Sequence, residues 1–330
     1  MKRESRGLAP TSAAVPVPLP RRGQAPGRRA PVPILASVGR SGSLSYEFER
    51  ASPRTILTRS SCTSPWHHFP PSYLDDSGCA YIWLVNPSGG LVAGDHVSVE
   101  ALLHAGTHVL MTSPSANRVY RSLSEPVLQE IRLSVGPEAR LEWLPEVTIP
   151  FAGSRFRQSI QVDLAPGATA VLWDAIASGR VAMEERWAFA AVENEICIRG
   201  LVPAEKGDSP GAGQSPPVPV PLLIERYRLA PGRLPESVGL VESWDYVASL
   251  FVIGDAVGAD VWKRLDGVLA AILEQRPGLV LGAVSTPAAP GLVVKLVARS
   301  APDLTDTFEA LWAAVRKELW NLPVPNLRRY

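Results

Sequence analysis

Leu103-His104-Ala105-Gly106-Thr107-His108-Val109-Leu110 is a glycine turn with an apolar segment on each side, and the chain carries its plan twice more. Ser134-Val135-Gly136-Pro137-Glu138-Ala139-Arg140-Leu141 is the second copy and Leu164-Ala165-Pro166-Gly167-Ala168-Thr169-Ala170-Val171 the third. Gly106, Gly136 and Gly167 stand 30 and 31 residues apart. A period of that size marks stacked supersecondary units, here strand, turn, strand. One such unit cannot bury its apolar face alone, so neighbours must stack on it. The spacing therefore predicts a mainly β fold, a β-solenoid-like or layered β stack. A plain β-sandwich is the alternative with the same strands.

Outward from this centre the β pattern continues. Residues 44–48 and 156–164 alternate with period two, the mark of a half-buried strand. Further strands are expected at 79–85, 95–103, 107–112, 127–135, 168–173, 185–192, 194–199 and 222–229. The last quarter changes period. Val261, Trp262, Leu265, Val268, Leu269 and Ile272 share one helical face, and Leu304, Phe308, Leu311, Trp312, Val315 and Leu319 share another. Pro277-Gly278 and Pro323 stop the two helices. Two C-terminal α-helices, near 259–275 and 303–320, are thus expected, flanking strands at 279–285 and 292–299 and capping the open end of the stack.

Two stretches cannot build a core. Residues 1–40 are rich in Pro, Arg, Ser and Gly and are expected to be a disordered basic tail. Residues 203–221 read as an exposed loop interrupting one β-rich domain over 41–330. Net charge is +1 in 330 residues, but positions 1–60 hold eleven Lys and Arg against Glu4, Glu47 and Glu49. The folded part is therefore mildly acidic and carries no nucleic-acid module. No apolar run is long enough to cross a membrane as a helix. No h-region of a signal peptide opens the chain, and early prolines oppose a transit helix. Cys62, Cys79 and Cys197 form neither a disulfide framework nor a C-x-x-C pair, which fits a reducing cytoplasm.

Several short stretches stand out from the β pattern. Asn86-Pro87-Ser88-Gly89-Gly90-Leu91-Val92-Ala93-Gly94-Asp95 is a tight glycine-rich connection ending in an acid, without the spacing of a phosphate loop. Thr112 to Arg121 reads T-S-P-S-A-N-R-V-Y-R, and Leu141 to Glu146 reads L-E-W-L-P-E. Trp173 to Arg180 reads W-D-A-I-A-S-G-R with Glu185 beyond it, Leu223 to Arg226 reads L-I-E-R, and the chain closes on N-L-R-R-Y. Taken in order, these are similar to motifs of the UreD urease accessory proteins, including G-G-hydrophobic-x-G-G-D, T-x-x-x-A-x-K-x-Y-R, L-E-W-L-P-Q and G-R-x-x-x-G-E-x-F. The resemblance spans about 41–330. Arg118 stands for a lysine, Ala93 and Glu184 for glycines, and Tyr330 for a more usual Trp.

The resemblance implies a non-enzymatic scaffold in nickel metallocentre assembly, working with UreF and the GTPase UreG. It would dock on apo-urease and deliver nickel, in transit, through an internal wet passage. Such a passage needs oxygen or nitrogen donors that do not close into a cage. By motif position Asp95, Asp174 and Glu225 are the candidate metal-passing acids, with Asn117 a neutral donor. Each has a plainer reading. Asp95 would satisfy turn amides, Asp174 would pair with Arg180, and Glu225 with Arg226 or Arg228. Arg118, Tyr120, Arg121, Glu142, Arg180 and Glu185 are candidate partner contacts or structural polar groups, with Glu142 and Glu185 as possible ion-pair partners of the arginines. His104 and His108 straddle the first turn, and His67-His68 lies in a Pro-rich loop. Two other functions compete. A carbohydrate-active β-solenoid enzyme would pair two of the acids in an open cleft, and a β-rich adaptor would have no metal role.

Overall fold

Stacking along the thirty-residue period builds two long parallel ladders. The computed structural model describes residues 39–202, 217–230 and 241–327. In the first sheet β1 (Ser41–Ala51), β4 (His96–Leu103), β7 (Val127–Val135), β10 (Arg155–Leu164) and β12 (Ala191–Val202) run parallel. Antiparallel β2 (Arg54–Cys62) and β13 (Val218–Leu229) close its edges. In the second sheet β3 (Ala80–Trp83), β5 (His108–Thr112), β8 (Arg140–Leu144) and β11 (Thr169–Ala177) are parallel. Antiparallel β14 (Tyr246–Gly254), β16 (Gly291–Ala298) and β15 (Val280–Ser285) extend it. A narrow third side is made by β6 (Asn117–Val119) and β9 (Thr148–Pro150). Each coil thus runs through two long sides and one short one, the β-solenoid-like stack that the repeat predicts.

The turns refine the repeat. His108, Arg140 and Thr169 pair in register, which makes Gly106, Glu138 and Gly167 equivalent. All three have left-handed backbone, with φ of 67°, 58° and 75°. The glycine at 136 stands two residues earlier in the turn. There a Cβ would lie 2.7 Å from the Leu103 carbonyl oxygen, so its role is close approach between coils.

Burial explains which strands the sequence reveals. β10 alternates buried and exposed residues, because its outer face meets solvent. β5 is buried throughout and β11 nearly so, because helices cover the far side of their sheet. One core, including Phe48, Ile131, Val162 and Leu172, fills the space between the sheets. A second, including Trp173, Leu250, Leu269 and Trp312, lies between the second sheet and α1 (Ala259–Glu274) and α2 (Ala301–Trp320).

Several expectations need correction. The helices lie on a face of the second sheet and do not cap the end of the stack, because their apolar stripes match that sheet's apolar outer face. The buried stripe of α1 is Trp262, Leu265, Leu269 and Leu273, while Val268 is 39% exposed. Residues 185–190 are not strand; a 3-10 turn at Val181–Met183 and left-handed Trp187 delay β12 to Ala191. Of the expected loop at 203–221, residues 203–216 lie outside the described residues, and β13 already begins at Val218. The expected tail, apart from Gly39 and Arg40, also lies outside them.

Candidate functional site

The inner face of the first sheet is apolar except for one row and Glu225 on the edge strand β13. Val97, Gln129, Gln158, Asn194 and Tyr227 stand side by side on β4, β7, β10, β12 and β13. Four of the five are polar, and the row runs along the stacking axis. A buried amide is tolerated only when hydrogen-bonded, and here each satisfies the next. Asn117 Nδ2 donates to Gln129 Oε1 at 3.2 Å, and Gln129 Nε2 donates to Gln158 Oε1 at 3.1 Å. Gln158 Nε2 is shared between Asp174 Oδ1 at 2.9 Å and Asn194 Oδ1 at 3.0 Å. Asn194 Nδ2 and the Tyr227 hydroxyl donate to Asp174 Oδ2 at 2.8 and 3.2 Å.

Asp174 is the carboxyl end of this row, carried on β11 of the opposite sheet. Burial pushes its carboxyl above the usual range, and nearby Glu225 pushes the same way. The three donated hydrogen bonds oppose that shift without cancelling it. Glu225 is held by Lys295 Nζ at 2.7 Å from both its oxygens, so its partner is a lysine of β16 and not a neighbouring arginine.

A cavity of about 100 Å³ opens beside the row. Asn117, Gln129, Gln158 and Asp174 line it, together with Trp143 and Thr148. That space holds about three water molecules. Its outer lining includes Gly89, Pro114, Ser115 and Arg118, all exposed, so the cavity reaches the surface at the narrow third side.

Asp95 has a different place. It is buried, with Oδ1 accepting from the Arg40 N–H at 2.9 Å and Oδ2 from the Val92 N–H at 2.8 Å. Both oxygens staple the glycine-rich connection to the start of β1, so turn amides are its partners, and it does not line the cavity.

Glu142 also serves structure. Its Oε1 accepts from His108 Nε2 at 2.8 Å and Arg316 Nη1 at 3.2 Å, and its Oε2 accepts from Trp312 Nε1 at 2.5 Å. Cys79, His108 and Glu142 hold one donor atom each within 4.8 Å of one another. These residue types suit a metal centre. The Arg316 guanidinium, however, already neutralises the carboxylate, and burial pushes the Cys79 thiol up, keeping it protonated. The cluster is therefore an ion network that ties α2 to β5 and β8.

On the third side Arg180 pairs with Glu185 and stacks over Phe151, 4.6 Å from its centroid. Glu185 Oε1 also accepts from the Ala152 N–H at 2.5 Å. The Arg180 hydrogen bond, aided by that amide, holds the Glu185 carboxyl below the usual range against its partial burial. Tyr120 packs edge-on to Phe151 at 4.9 Å. Arg118 and Arg121, both exposed, pair with neither Glu142 nor Glu185; among the described residues they form no ion pair or side-chain hydrogen bond.

Residues 40–329 match the family described as UreD urease accessory protein. The chain belongs to the UreD family. A urease accessory protein UreD of Deinococcus radiodurans is 33% identical over 292 residues, covering 88% of this chain and 95% of that one. The corresponding proteins of an Anaeromyxobacter species and of Herpetosiphon aurantiacus are each 30% identical, covering 82% and 87% of this chain and 86% and 95% of theirs. The family assigns an accessory role in urease maturation. No described helix is long and apolar enough to cross a membrane.

The UreD motifs now have physical reasons. Gly90 lies against Tyr120, where a Cβ would come within 2.6 Å of Cε2, so the G-G pair lets its loop pack on the Y-R segment. Ala93 replaces a family glycine at a position without left-handed backbone, whereas Gly94 has φ 80°. Glu184 replaces another at φ 59°, where glycine fits without strain. Gln129, Gln158, Asn194 and Tyr227 escaped the sequence reading. The signal was present: each is a polar residue at an inward position of a period-two strand.

Proposed function

We propose that this chain serves urease maturation as a scaffold with UreF and the GTPase UreG in the cytoplasm, passing nickel to apo-urease through its interior. The observation that carries this reading is the hydrogen-bonded row from Asn117 to Asp174 beside a cavity lined by its polar side chains. Oxygen donors in an open arrangement bind nickel weakly enough to release it. Asn117 and Asp174 are the donors the reading retains on the path, and Glu225 acts on Asp174 through its charge. Asp95 is left off the path, since backbone amides occupy it.

A carbohydrate-active enzyme is disfavoured. The cavity is well below the roughly 300 Å³ at which pockets for such ligands begin. Asp174 is enclosed by three hydrogen bonds and Lys295 neutralises Glu225, so these two acids offer no free pair of carboxyls to a cleft.

Asp174→Ala and Asn117→Ala should each lower the nickel content of urease matured with the variant by roughly tenfold. Thermal midpoints should stay close to wild type, because cavity water can take up the freed donors. Nickel per urease active site and calorimetric melting read the two effects. Normal loading by both variants would remove the row from the path.

A further inference from the structure

Two carboxylates and an imidazole that the interior row does not use converge on the outer face of the first sheet. Glu47 and Glu49 alternate with buried Tyr46 and Phe48 along β1, so both side chains point outward. His104 continues the outward positions of β4 beyond buried Leu103, and its N–H donates to the Phe48 carbonyl at 3.0 Å, which anchors it beside the two acids. Successive outward residues on a strand stand roughly 7 Å apart. Glu47, Glu49 and His104 nevertheless place one donor atom each within 4.8 Å of one another. The side chains therefore lean together, although two of them are acids. A β-bulge in the pairing of β1 with β2 falls at Glu47 and Phe48, and the added twist of a bulge re-aims side chains.

The charge compensation at this cluster is incomplete. His104 Nε2 bonds Glu47 Oε1 at 2.9 Å, and Arg59 reaches Glu47 Oε2 at 3.1 Å. The His104 hydrogen bond outweighs desolvation and, aided by Arg59, holds the Glu47 carboxyl below the usual range, so it is ionised. Glu49 is exposed and has no ion pair or side-chain hydrogen bond among the described residues. The Arg59 side chain is 82% exposed, and so exposed a partner is held weakly. Unlike Arg316 at Glu142, it is free to swing away.

We propose that Glu47, Glu49 and His104 form an exchangeable surface site for a divalent first-row transition cation of the nickel and zinc class. Imidazole with carboxylates is a donor set that suits those ions. On binding, His104 Nε2 gives its lone pair to the ion, the ring proton sits on Nδ1, and Arg59 gives up Glu47. Three protein donors leave a position for water, through which the ion can exchange. None of the three residues lines the interior cavity, so the site is separate from the proposed passage and does not depend on it.

The test is calorimetric titration of the full-length chain, without a histidine tag, with Ni²⁺, Zn²⁺ and Mg²⁺ in separate arms. His104→Gln and Glu49→Gln should each weaken Ni²⁺ and Zn²⁺ binding by about tenfold or more and keep the wild-type melting temperature. Arg59→Ala should tighten binding about two- to fivefold, because the competing guanidinium is gone. Asp174→Ala should leave this binding unchanged. Wild-type affinity in both glutamine variants overturns the proposal. So does a lowered melting temperature in His104→Gln with cation binding intact, which would make the cluster a strut between β1 and β4. Loss of the binding in Asp174→Ala instead places the cation in the interior and overturns the surface site. Mg²⁺ bound as tightly as Zn²⁺ would mark a plain acidic patch and overturn it too. Should His104→Gln fold poorly, Glu49→Gln at its exposed position decides alone: lost affinity supports the site and wild-type affinity overturns it.

Discussion

Asp95 and Asp174 are both acids at motif positions, yet their surroundings give them opposite work. Asp95 accepts two backbone N–H groups, those of Arg40 and Val92. Asp95→Ala removes the acceptor of both partly buried donors, so it should cost about 1 kcal/mol of stability. Chemical denaturation reads this directly, and an unchanged midpoint would contradict it. Glu184 makes the opposite case. Its φ of 59° is costly for a side chain with a Cβ. Glu184→Gly should relieve part of the roughly 1–2 kcal/mol left-handed penalty, offset by the glycine's greater unfolded-state entropy. A melting temperature equal to or slightly above wild type is expected, whereas Gly90→Ala should lower it through the Tyr120 contact.

At the scale of elements, the docking of α2 depends on charge as much as on its apolar stripe. Ser300 caps the helix by accepting from the Asp303 N–H, and left-handed Asn321 ends it. Between these ends the fully buried Arg316 reaches Glu142 and, through Nη2 at 3.2 Å, Asp75. Burial pushes the Asp75 carboxyl up, but the Ser77 and Tyr81 hydroxyls and Arg316 outweigh it, so it stays ionised and ready to pair. Arg316→Met leaves both acids uncompensated under the helix. The expected cost is about 3–5 kcal/mol, with hydrogen exchange rising first in α2 and in β5 and β8 beneath it. Exchange that rises uniformly would show that the network is not what holds the helix. This network was not legible beforehand, since Asp75, Glu142 and Arg316 are far apart in sequence and only α2 brings them together.

For the whole molecule, the described core begins at Leu44, and every apolar cluster is built from residues at or beyond it. Residues 1–38 are poor in large apolar side chains. Deleting them should leave the melting temperature and the soluble yield unchanged; loss of soluble protein on truncation would refute this. The stacked architecture also sets where function can sit. Parallel coils place equivalent positions side by side along the axis, so one inward polar position per coil becomes a continuous row through the molecule. A single coil would hold an isolated buried amide, which is costly; four neighbours satisfy one another.

The thirty-residue period, the alternation in strands such as β10 and the two helical stripes were readable from the sequence, because each is a local pattern imposed by backbone geometry. Family membership was readable for a similar reason, since its motifs are contiguous strings. β14 was missed because a strand buried on both faces loses its alternation, and β2 because an exposed edge strand carries little apolar signal. The true turn register, with Glu138 and not Gly136 equivalent to Gly106, came from strand pairing between coils. Tertiary structure alone decided which acids reach the cavity. Asp95, Asp174 and Glu225 look alike as letters beside glycine, tryptophan and arginine. What separates them is whether the nearest partner across the fold is a backbone amide, a row of side-chain amides or a lysine, and those partners arrive from strands up to 70 residues away.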